Sequence, residues 1–184
     1  MSAPTTLTTD NTVLVAIDFQ ERLFPVMHDK ERLLRNVQKL IKGAQALGIP
    51  IILTEQYPKG LGPTLPEIKE LLADVRPIEK TCFNCCDEGA FNKSLGALKR
   101  KQVLICGIEA HICVYQTAVA LLQTGYEVQV VTDCVSSRDP ENKMVSLFRM
   151  GSSGVSPTTT EMALFELLKE AKGDAFKEIR NIVK

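Results

Sequence analysis

Histidine is scarce in this sequence, and neither sign of charge is in excess. The only histidines are His28 and His111, whereas a structural zinc site needs four Cys or His ligands at suitable spacing. Lysine and arginine total 22, and aspartate and glutamate also total 22, so no net field attracts nucleic acid or an anionic membrane surface. We therefore expect no metal and no nucleic-acid partner.

Long hydrophobic runs are also absent. The longest, such as Val13 to Ile17 and Ile49 to Leu53, are far too short to span a bilayer. The first twelve residues have neither the apolar core of a signal peptide nor the arginines of a transit peptide. We expect a cytoplasmic protein without a membrane segment, in which the six cysteines stay reduced.

Both glycine-rich phosphate-binding motifs are missing. No G-x-G-x-x-G follows the first predicted strand, and there is no G-x-x-x-x-G-K-[ST], so an ordinary nucleotide-binding domain is disfavoured and no cofactor is expected. The 184 residues suit one domain. We predict a flexible, Thr-rich tail over 1–11 and a single domain over 12–184.

Short apolar runs alternate with helical patterns along the chain, which is typical of an α/β fold with a parallel sheet. Helices are predicted over about 31–47, from Pro140 to Gly151, from after Thr158 to Leu168, and over 174–183. The predicted strands cover 13–17, 49–53, 75–78, 103–106, 128–131 and 153–155.

Three of these strands end near a residue with catalytic chemistry. Asp18 follows the first strand, Lys80 the third and Cys113 the fourth. Because the carboxyl ends of parallel strands share one edge of the sheet, where ligands bind, we expect carboxylate, ammonium and thiol to converge there. Each also has an ordinary alternative role: Asp18 as a cap, Lys80 as a surface lysine and Cys113 as a small core residue.

Cys113 is predicted to lie in the first turn of a helix. Unpaired backbone N–H groups and the helix dipole stabilise a thiolate at such a position. The ammonium group of Lys80 would act in the same direction, so we expect a reactive thiolate with a pKa below the usual range.

A family resemblance is carried by Thr54–Thr64, Glu79–Phe83 and Gly107–Cys113. These segments resemble, almost letter for letter, the isochorismatase-like cysteine hydrolase superfamily, and most of all its isochorismatase-domain-containing branch. The resemblance implies a six-stranded parallel sheet flanked by helices on both faces, a Rossmann-like three-layer sandwich. It also implies that Asp18, Lys80 and Cys113 form a catalytic triad.

Further site features are implied by the same resemblance. The backbone N–H groups of Glu109 and Cys113 would form the oxyanion hole, with a cis peptide between Ile108 and Glu109. True isochorismatases carry glycine where Cys113 stands, which disfavours isochorismate as the substrate. Nicotinamidases carry a metal-binding D-x-H motif where this chain has Gln56 and Pro58, so no metal is implied.

Aromatic and amide side chains next to the strand ends are predicted to line the pocket of a small-molecule substrate. Their chemistry suits a small, largely uncharged molecule. They are Phe19, Gln20, Gln56, Tyr57 and Phe83.

The predicted function is metal-independent hydrolysis of an amide-type C–N bond through a thioester at Cys113. Two alternatives stay open. One is a family member that has lost turnover and serves as a binding or scaffold protein. The other is a thiol-redox protein that uses Cys82, Cys85 and Cys86, which include a C-x-x-C spacing.

A closed symmetric homo-oligomer is predicted as well. Family members supply the first reason. The second is apolar surface expected to remain after one small sheet is covered, at Leu61, Leu65, Tyr115 and Phe148, since such patches usually mark interfaces.

Overall fold

The computed structural model describes residues 6–184, in which six strands form one sheet with helices packed against both faces. The strands are β1 (Thr12–Ile17), β2 (Ile51–Gln56), β3 (Ile78–Lys80), β4 (Gln102–Ile108), β5 (Glu127–Ser136) and β6 (Ser156–Thr158). The helices are α1 (Lys30–Ala46), α2 (Pro58–Leu61), α3 (Pro66–Lys69), α4 (Gly89–Ala97), α5 (Tyr115–Gln123), α6 (Pro140–Ser153), α7 (Thr160–Leu168) and α8 (Gly173–Val183). Within residues 6–184, no helix is long and apolar enough to cross a membrane.

The sheet is entirely parallel, with strand order β3-β2-β1-β4-β5-β6. Its two central strands, β1 and β4, are buried at every residue, as expected for mostly apolar strands covered on both faces. The strand order reverses between them, and in open parallel sheets ligands bind beyond the carboxyl ends at such a reversal. The predicted six-stranded parallel sheet is confirmed.

Two hydrophobic cores lie on opposite sides of the sheet. Because successive strand residues point to opposite faces, Leu14 and Ala16 of β1 join the core formed with α1 and α7, whereas Val13 and Val15 join the core formed with α4, α5 and α6. The result is the three-layer arrangement that the family resemblance implies.

Several predicted strand bounds differ from the observed ones. β2 begins two residues and ends three residues later than predicted, and β5 continues five residues beyond its predicted end. β3 begins three residues and ends two residues later than predicted, so that Lys80 is its last residue. β6 is also shifted by three residues, because α6 continues to Ser153 and ends at Gly154 in the left-handed conformation. The sequence pattern did not reveal α4, which contains two glycines, Gly89 and Gly96.

Only part of the predicted flexible tail, 1–11, is described by the structure, since 1–5 lie outside the described residues. The part that is described packs on the domain. Leu7 is 1% exposed, and its N–H donates to Oε1 of Glu166 at 2.8 Å. The N–H of Thr8 donates to Oε1 of Gln102 at 2.9 Å. One buried leucine and two backbone hydrogen bonds thus anchor residues 6–11, a segment that has no periodic pattern.

Gly107 allows the end of β4 to lie against the end of β1. Its φ is +151°, and an added Cβ would lie 2.5 Å from Cβ of Ile17 and 2.6 Å from the Ile17 carbonyl oxygen. Only glycine fits such a contact without a shift of the backbone. This close approach positions the residues after β4 beside Asp18, which directly follows Ile17.

Exposed apolar side chains are concentrated on α6. Met144, Val145 and Phe148 are 64%, 48% and 76% exposed, and they lie on one side of the helix at spacings of one and four residues. Tyr115, predicted to be surface, is partly buried with the guanidinium of Arg149 over its ring at 4.6 Å. The predicted apolar surface is wrong for Leu65, which is buried in the core with α1.

Candidate active site

Asp18 is held by β2 through both its backbone and its side chain. It follows β1 directly, has a left-handed φ of 57° and is fully buried. Its N–H donates to the carbonyl oxygen of Thr54 at 3.2 Å, and its Oδ1 accepts a hydrogen bond from the Thr54 hydroxyl at 2.7 Å. The carboxylate is therefore fixed at the carboxyl edge of the sheet, where the sequence predicts it.

Lys80 completes a buried ion pair with Asp18. Its Nζ lies 2.7 Å from Oδ2 of Asp18, and both side chains are fully buried. The ammonium group also donates to Oε1 of Gln56 at 2.6 Å and to the carbonyl oxygen of Cys82 at 3.3 Å. Burial is the largest single influence and lowers the pKa of Lys80, but the negative charge of Asp18, the hydrogen bond to it and the neighbouring Cys85 and Cys113 together outweigh burial, so the pKa is raised. With three N–H groups and three acceptors, Lys80 acts as a fixed positive charge.

The backbone that carries Cys113 departs from an ordinary strand-to-helix turn. The peptide bond between Ile108 and Glu109 is cis, as the family resemblance implies. Ala110–Val114 then form a π-helical turn, in which the N–H of Val114 donates to the Glu109 carbonyl oxygen at 3.3 Å. Cys113 was predicted in the first turn of an α-helix but lies in this π-helical turn, before α5. Such turns are frequent at functional sites.

The thiol of Cys113 lies beside the ion pair in a nearly dry environment. Cys113 is 5% exposed. Burial and then the negative charge of Asp18 raise the pKa of the thiol, and the positive charge of Lys80 opposes them without prevailing. The predicted resting thiolate is therefore corrected, because a raised pKa favours the protonated thiol at neutral pH. Asp18 is the neighbouring group able to accept that proton.

The side chain of Glu109 anchors the same segment to the end of β5. Glu109 is 4% exposed, and its Oε2 accepts hydrogen bonds from the backbone N–H of Arg138 at 2.9 Å and from Arg138 Nε at 3.2 Å. His111 is tied to the same strand end, since its Nδ1 lies 2.9 Å from Oγ of Ser137. The predicted oxyanion-hole residues Glu109 and Cys113 thus belong to one well-supported turn.

Two predicted substrate-binding residues, Phe19 and Gln20, are buried among residues of the fold. Phe19 is fully buried in the core formed with α1. Gln20 is fully buried too, and its side-chain amide donates to the carbonyl oxygens of Gln56 and Gly62 at 3.0 and 2.7 Å. Its Oε1 accepts from the Gln56 N–H at 2.7 Å. Gln20 therefore joins the end of β2 to the following loop.

The other three predicted substrate-binding residues lie near Lys80. The amide of Gln56 is occupied, because Oε1 accepts from Lys80 and Nε2 donates to the Thr81 carbonyl oxygen at 2.7 Å. Tyr57 and Phe83 are 54% and 53% exposed. Tyr57 lines a surface pocket of about 320 Å³ whose wall also includes Lys80 and Thr81. Of the five, Tyr57 and Phe83 are free to contact a ligand.

Thr54 and Cys85 lie beside the site, a location that the sequence did not predict for either residue. Thr54 binds Asp18, as described above, and Cys85 is fully buried in the core that also contains Cys113. The Cys85 N–H donates to Oγ1 of Thr117 at 3.0 Å. A signal for Thr54 was present in the strand alternation, since it lies two residues before Gln56 and shares its side of β2.

The remaining cysteines are free thiols. Burial raises the pKa of Cys85 to about 12 and that of Cys86 to about 11, and it also raises the pKa of Cys82. Such thiols hold little thiolate at neutral pH, which disfavours thiol–disulfide exchange. Across residues 6–184, no group of three or more His, Cys, Asp or Glu side chains is arranged to hold a metal ion.

Similar proteins share both the sequence and the fold. Residues 12–162 match the isochorismatase domain family. Isochorismatase domain-containing protein 2 of Danio rerio is 41% identical over 179 residues, which cover 96% of this chain and 89% of the relative. A structure described as the MAR1 ribonuclease of Caenorhabditis elegans is 36% identical with a TM-score of 0.91, and the alignment covers 97% of this chain and 92% of that one.

Two bacterial structures are similar over the whole chain. YcaC from Pseudomonas aeruginosa, described with hexane-2,5-diol and covalent acrylamide, is 25% identical with a TM-score of 0.94 and is covered over 92% of its length. The Escherichia coli YcaC gene product, described as an octameric hydrolase of unknown specificity, is 25% identical with a TM-score of 0.90 and is covered over 97%. Together with the family match, these likenesses show that the chain belongs to the isochorismatase domain family, whose hydrolase fold it shares.

Proposed function

We propose that this protein is a metal-independent cysteine hydrolase that cleaves an amide-type C–N bond of a small molecule. The observation that carries the proposal is the buried Asp18–Lys80 ion pair beside the Cys113 thiol. A carboxylate next to a protonated thiol in a dry site suits general-base activation of a nucleophile. The residues present also suit chemistry without a metal. Gln56 stands where nicotinamidases carry a metal ligand, and its amide is already bound to Lys80 and to the Thr81 carbonyl oxygen.

The first half of the reaction transfers the acyl group to sulfur. Asp18 takes the proton from the Cys113 thiol, and sulfur bonds to the carbonyl carbon of the substrate. Negative charge then develops on the carbonyl oxygen, where the N–H groups of Glu109 and Cys113 would stabilise it. The C–N bond breaks, the leaving nitrogen takes the proton from Asp18, and a thioester remains on Cys113.

The second half releases the acid product. A water molecule gives a proton to Asp18 and its oxygen bonds to the thioester carbon. The C–S bond then breaks and sulfur takes the proton back, which regenerates the thiol. Throughout, the fixed charge of Lys80 keeps the carboxylate and the transient thiolate compatible in one small volume.

Support for an electrophile-accepting site comes from the bacterial relatives. One YcaC structure is described with covalent acrylamide, and another is described as a hydrolase. Acrylamide combines an amide with an electrophilic carbon, so it is a suitable first probe for this chain.

The test combines labelling with turnover. The protein is incubated with acrylamide and, separately, with a panel of aliphatic and aromatic primary amides, and then analysed by peptide mass spectrometry and by ammonia release. We expect modification of Cys113, loss of turnover in Cys113→Ala and Asp18→Asn, and no loss in the matched control Cys86→Ala. Labelling confined to Cys82, Cys85 and Cys86 would support a thiol-redox protein, and no labelling or turnover would support a scaffold.

RNA cleavage is a second activity that must be tested separately, because a 36% identical structure is described as a ribonuclease. The equal numbers of acidic and basic residues argue against it, since RNA binding draws on an excess of positive charge. A labelled RNA that stays intact while amides are hydrolysed supports the amidase proposal, and Cys113-dependent RNA cleavage overturns it.

We also infer that the protein forms a homo-oligomer through α6. The apolar side of that helix, Met144, Val145 and Phe148, is exposed in the single chain, and a relative over the whole chain is described as octameric. Light scattering should give a mass that is a multiple of 20.3 kDa. A 20.3 kDa particle with full activity at micromolar concentration would contradict this inference.

A further inference from the structure

Three consecutive residues at the end of β2 make hydrogen bonds on opposite sides of the strand. Thr54 and Gln56 point to the same side of the strand, because residues two apart share a face. Thr54 binds Asp18 and Gln56 binds Lys80. Glu55 points the other way, and its Oε1 accepts hydrogen bonds from the N–H and the hydroxyl of Thr64, both at 2.7 Å.

The Asp18 carboxylate has one partner on each oxygen. Oδ1 accepts from the Thr54 hydroxyl at 2.7 Å and Oδ2 accepts from Lys80 at 2.7 Å. The terminal torsion of an aspartate is broad and roughly two-fold, so a single partner would leave the carboxylate plane free to turn. Two partners on opposite oxygens fix that plane, and with it the direction of the lone pairs that could accept the thiol proton.

Resting on the function proposed above, we propose that Thr54 is a positioning residue that orients the Asp18 carboxylate for proton transfer from Cys113. Thr54 is fully buried, so it acts through Asp18 and not on the substrate. Its hydroxyl donates a charge-assisted hydrogen bond, a strong class of interaction. Loss of orientation at a general base slows the step even when all catalytic groups are present.

Alkylation by iodoacetamide tests this role without a known substrate. In that reaction the Cys113 thiol gives its proton to Asp18, a bond forms between sulfur and the CH₂ carbon, and the C–I bond breaks to release iodide. The proton then passes to solvent. The rate constant for Cys113 is measured by peptide mass spectrometry from pH 6 to pH 10 in the whole protein, with Cys86 in the same sample as the internal reference.

Four proteins separate a hydrogen bond from packing. Thr54→Val keeps the shape but removes the hydroxyl, and Thr54→Ser keeps the hydroxyl but removes a buried methyl. We expect Thr54→Val to slow Cys113 alkylation at pH 7 by on the order of 10-fold to 100-fold, as for loss of a hydrogen bond to a charged group. Thr54→Ser should retain most of the wild-type rate. A packing role predicts the opposite order. If Thr54→Val does not fold, the ratio of the Cys113 alkylation rates of Thr54→Ser and Thr54→Ala isolates the effect of the hydroxyl, because both variants lack the methyl group.

The pH profile gives a second readout. As pH rises, hydroxide replaces Asp18 as the proton acceptor, so the difference between wild type and Thr54→Val should shrink. Equal wild-type and Val rates at pH 7, with both proteins folded, would overturn the positioning role and leave the proposed function intact. A wild-type Cys113 that reacts no faster than Cys86 would overturn both.

Discussion

Replacing Lys80 by methionine removes one member of a buried ion pair and leaves the other in place. Nζ of Lys80 and Oδ2 of Asp18 lie 2.7 Å apart, and neither side chain is exposed. At that separation two unit charges attract by about 6 kcal/mol at an effective dielectric constant of about 20. Desolvation of the two ions offsets much of this attraction, so the pair as a whole contributes little, whereas an unpaired buried charge is costly.

We expect Lys80→Met to lower the free energy of unfolding by about 3–5 kcal/mol, because Asp18 stays buried without its cation. Asp18→Asn should cost a similar amount, since it leaves the ammonium group without its anion. The double variant contains neither charge. It should therefore lose less than the sum of the single variants, with a coupling of about 3 kcal/mol or more.

The measurement is guanidinium-induced unfolding followed by circular dichroism at one fixed protomer concentration. The slope of the unfolding free energy against guanidinium concentration should be the same in all variants, which checks that the same transition is compared. Lys177→Met is the matched control. It removes an ion pair with Asp174 at 2.9 Å whose side chains are 68% and 98% exposed, so no measurable change is expected. Single-variant costs that add within about 0.5 kcal/mol would refute the coupling of Asp18 and Lys80.

The same pair predicts how stability depends on pH. The folded-state pKa of Lys80 is raised above its ordinary value of 10.5. Its contribution is therefore fully present below the unfolded-state pKa and is lost as pH rises through the higher folded-state pKa. The free energy of unfolding of the wild type should fall above about pH 10.5 relative to that of the double variant. A constant difference between the two proteins up to pH 12 would contradict the raised pKa.

Three further predictions concern the backbone, the thiol and the surface. Gly107→Ala should cost about 3 kcal/mol or more, because it adds overpacking against Ile17 to a disfavoured φ. The control is Gly151→Ala, where an added Cβ meets nothing within 4 Å and should instead stabilise α6 by up to about 1 kcal/mol. Equal effects of the two substitutions on the thermal unfolding temperature would refute the argument from close contact at Gly107. Because burial and Asp18 raise the pKa of Cys113, its iodoacetamide rate should still be rising at pH 9, and a plateau below pH 8 in the mass-spectrometric time course would show a resting thiolate instead. Phe148→Asp should reduce the mass measured by light scattering while leaving the far-ultraviolet circular dichroism unchanged; an unaltered assembly would place the interface elsewhere.

Much of the fold was determined by local sequence pattern. The buried apolar runs of β1 and β4 predict central parallel strands, and Asp139 followed by Pro140 predicts the start of α6, where the Asp139 side chain accepts from the N–H of Glu141. These signals are local, because an uninterrupted apolar run and an N-cap residue each involve only a few neighbouring residues. The short strands β3 and β6 were misplaced by two to three residues, since three-residue strands carry too little periodicity to fix their bounds.

The candidate site shows the same division. Position at the strand ends makes Asp18, Lys80 and Cys113 candidates, because the carboxyl ends of parallel strands meet at one edge, and the family resemblance implies that they form a triad. Only the tertiary structure shows that Thr54 binds Asp18, that the Gln56 amide is occupied by Lys80, and that Phe19 belongs to the core. Those outcomes depend on which strand lies beside which and on what each polar atom meets.

The protonation state of the candidate nucleophile, Cys113, was also decided by the tertiary structure. From the sequence, Cys113 lies near the start of a helix and Lys80 is expected beside it, which predicts a thiolate. In the folded protein the thiol is buried beside Asp18, while Lys80 is held by Asp18, Gln56 and the Cys82 carbonyl oxygen. Sequence determines which charged and nucleophilic groups are available at the sheet edge. Burial and distance, which come from the packing of the whole chain, decide how strongly each group acts on the next.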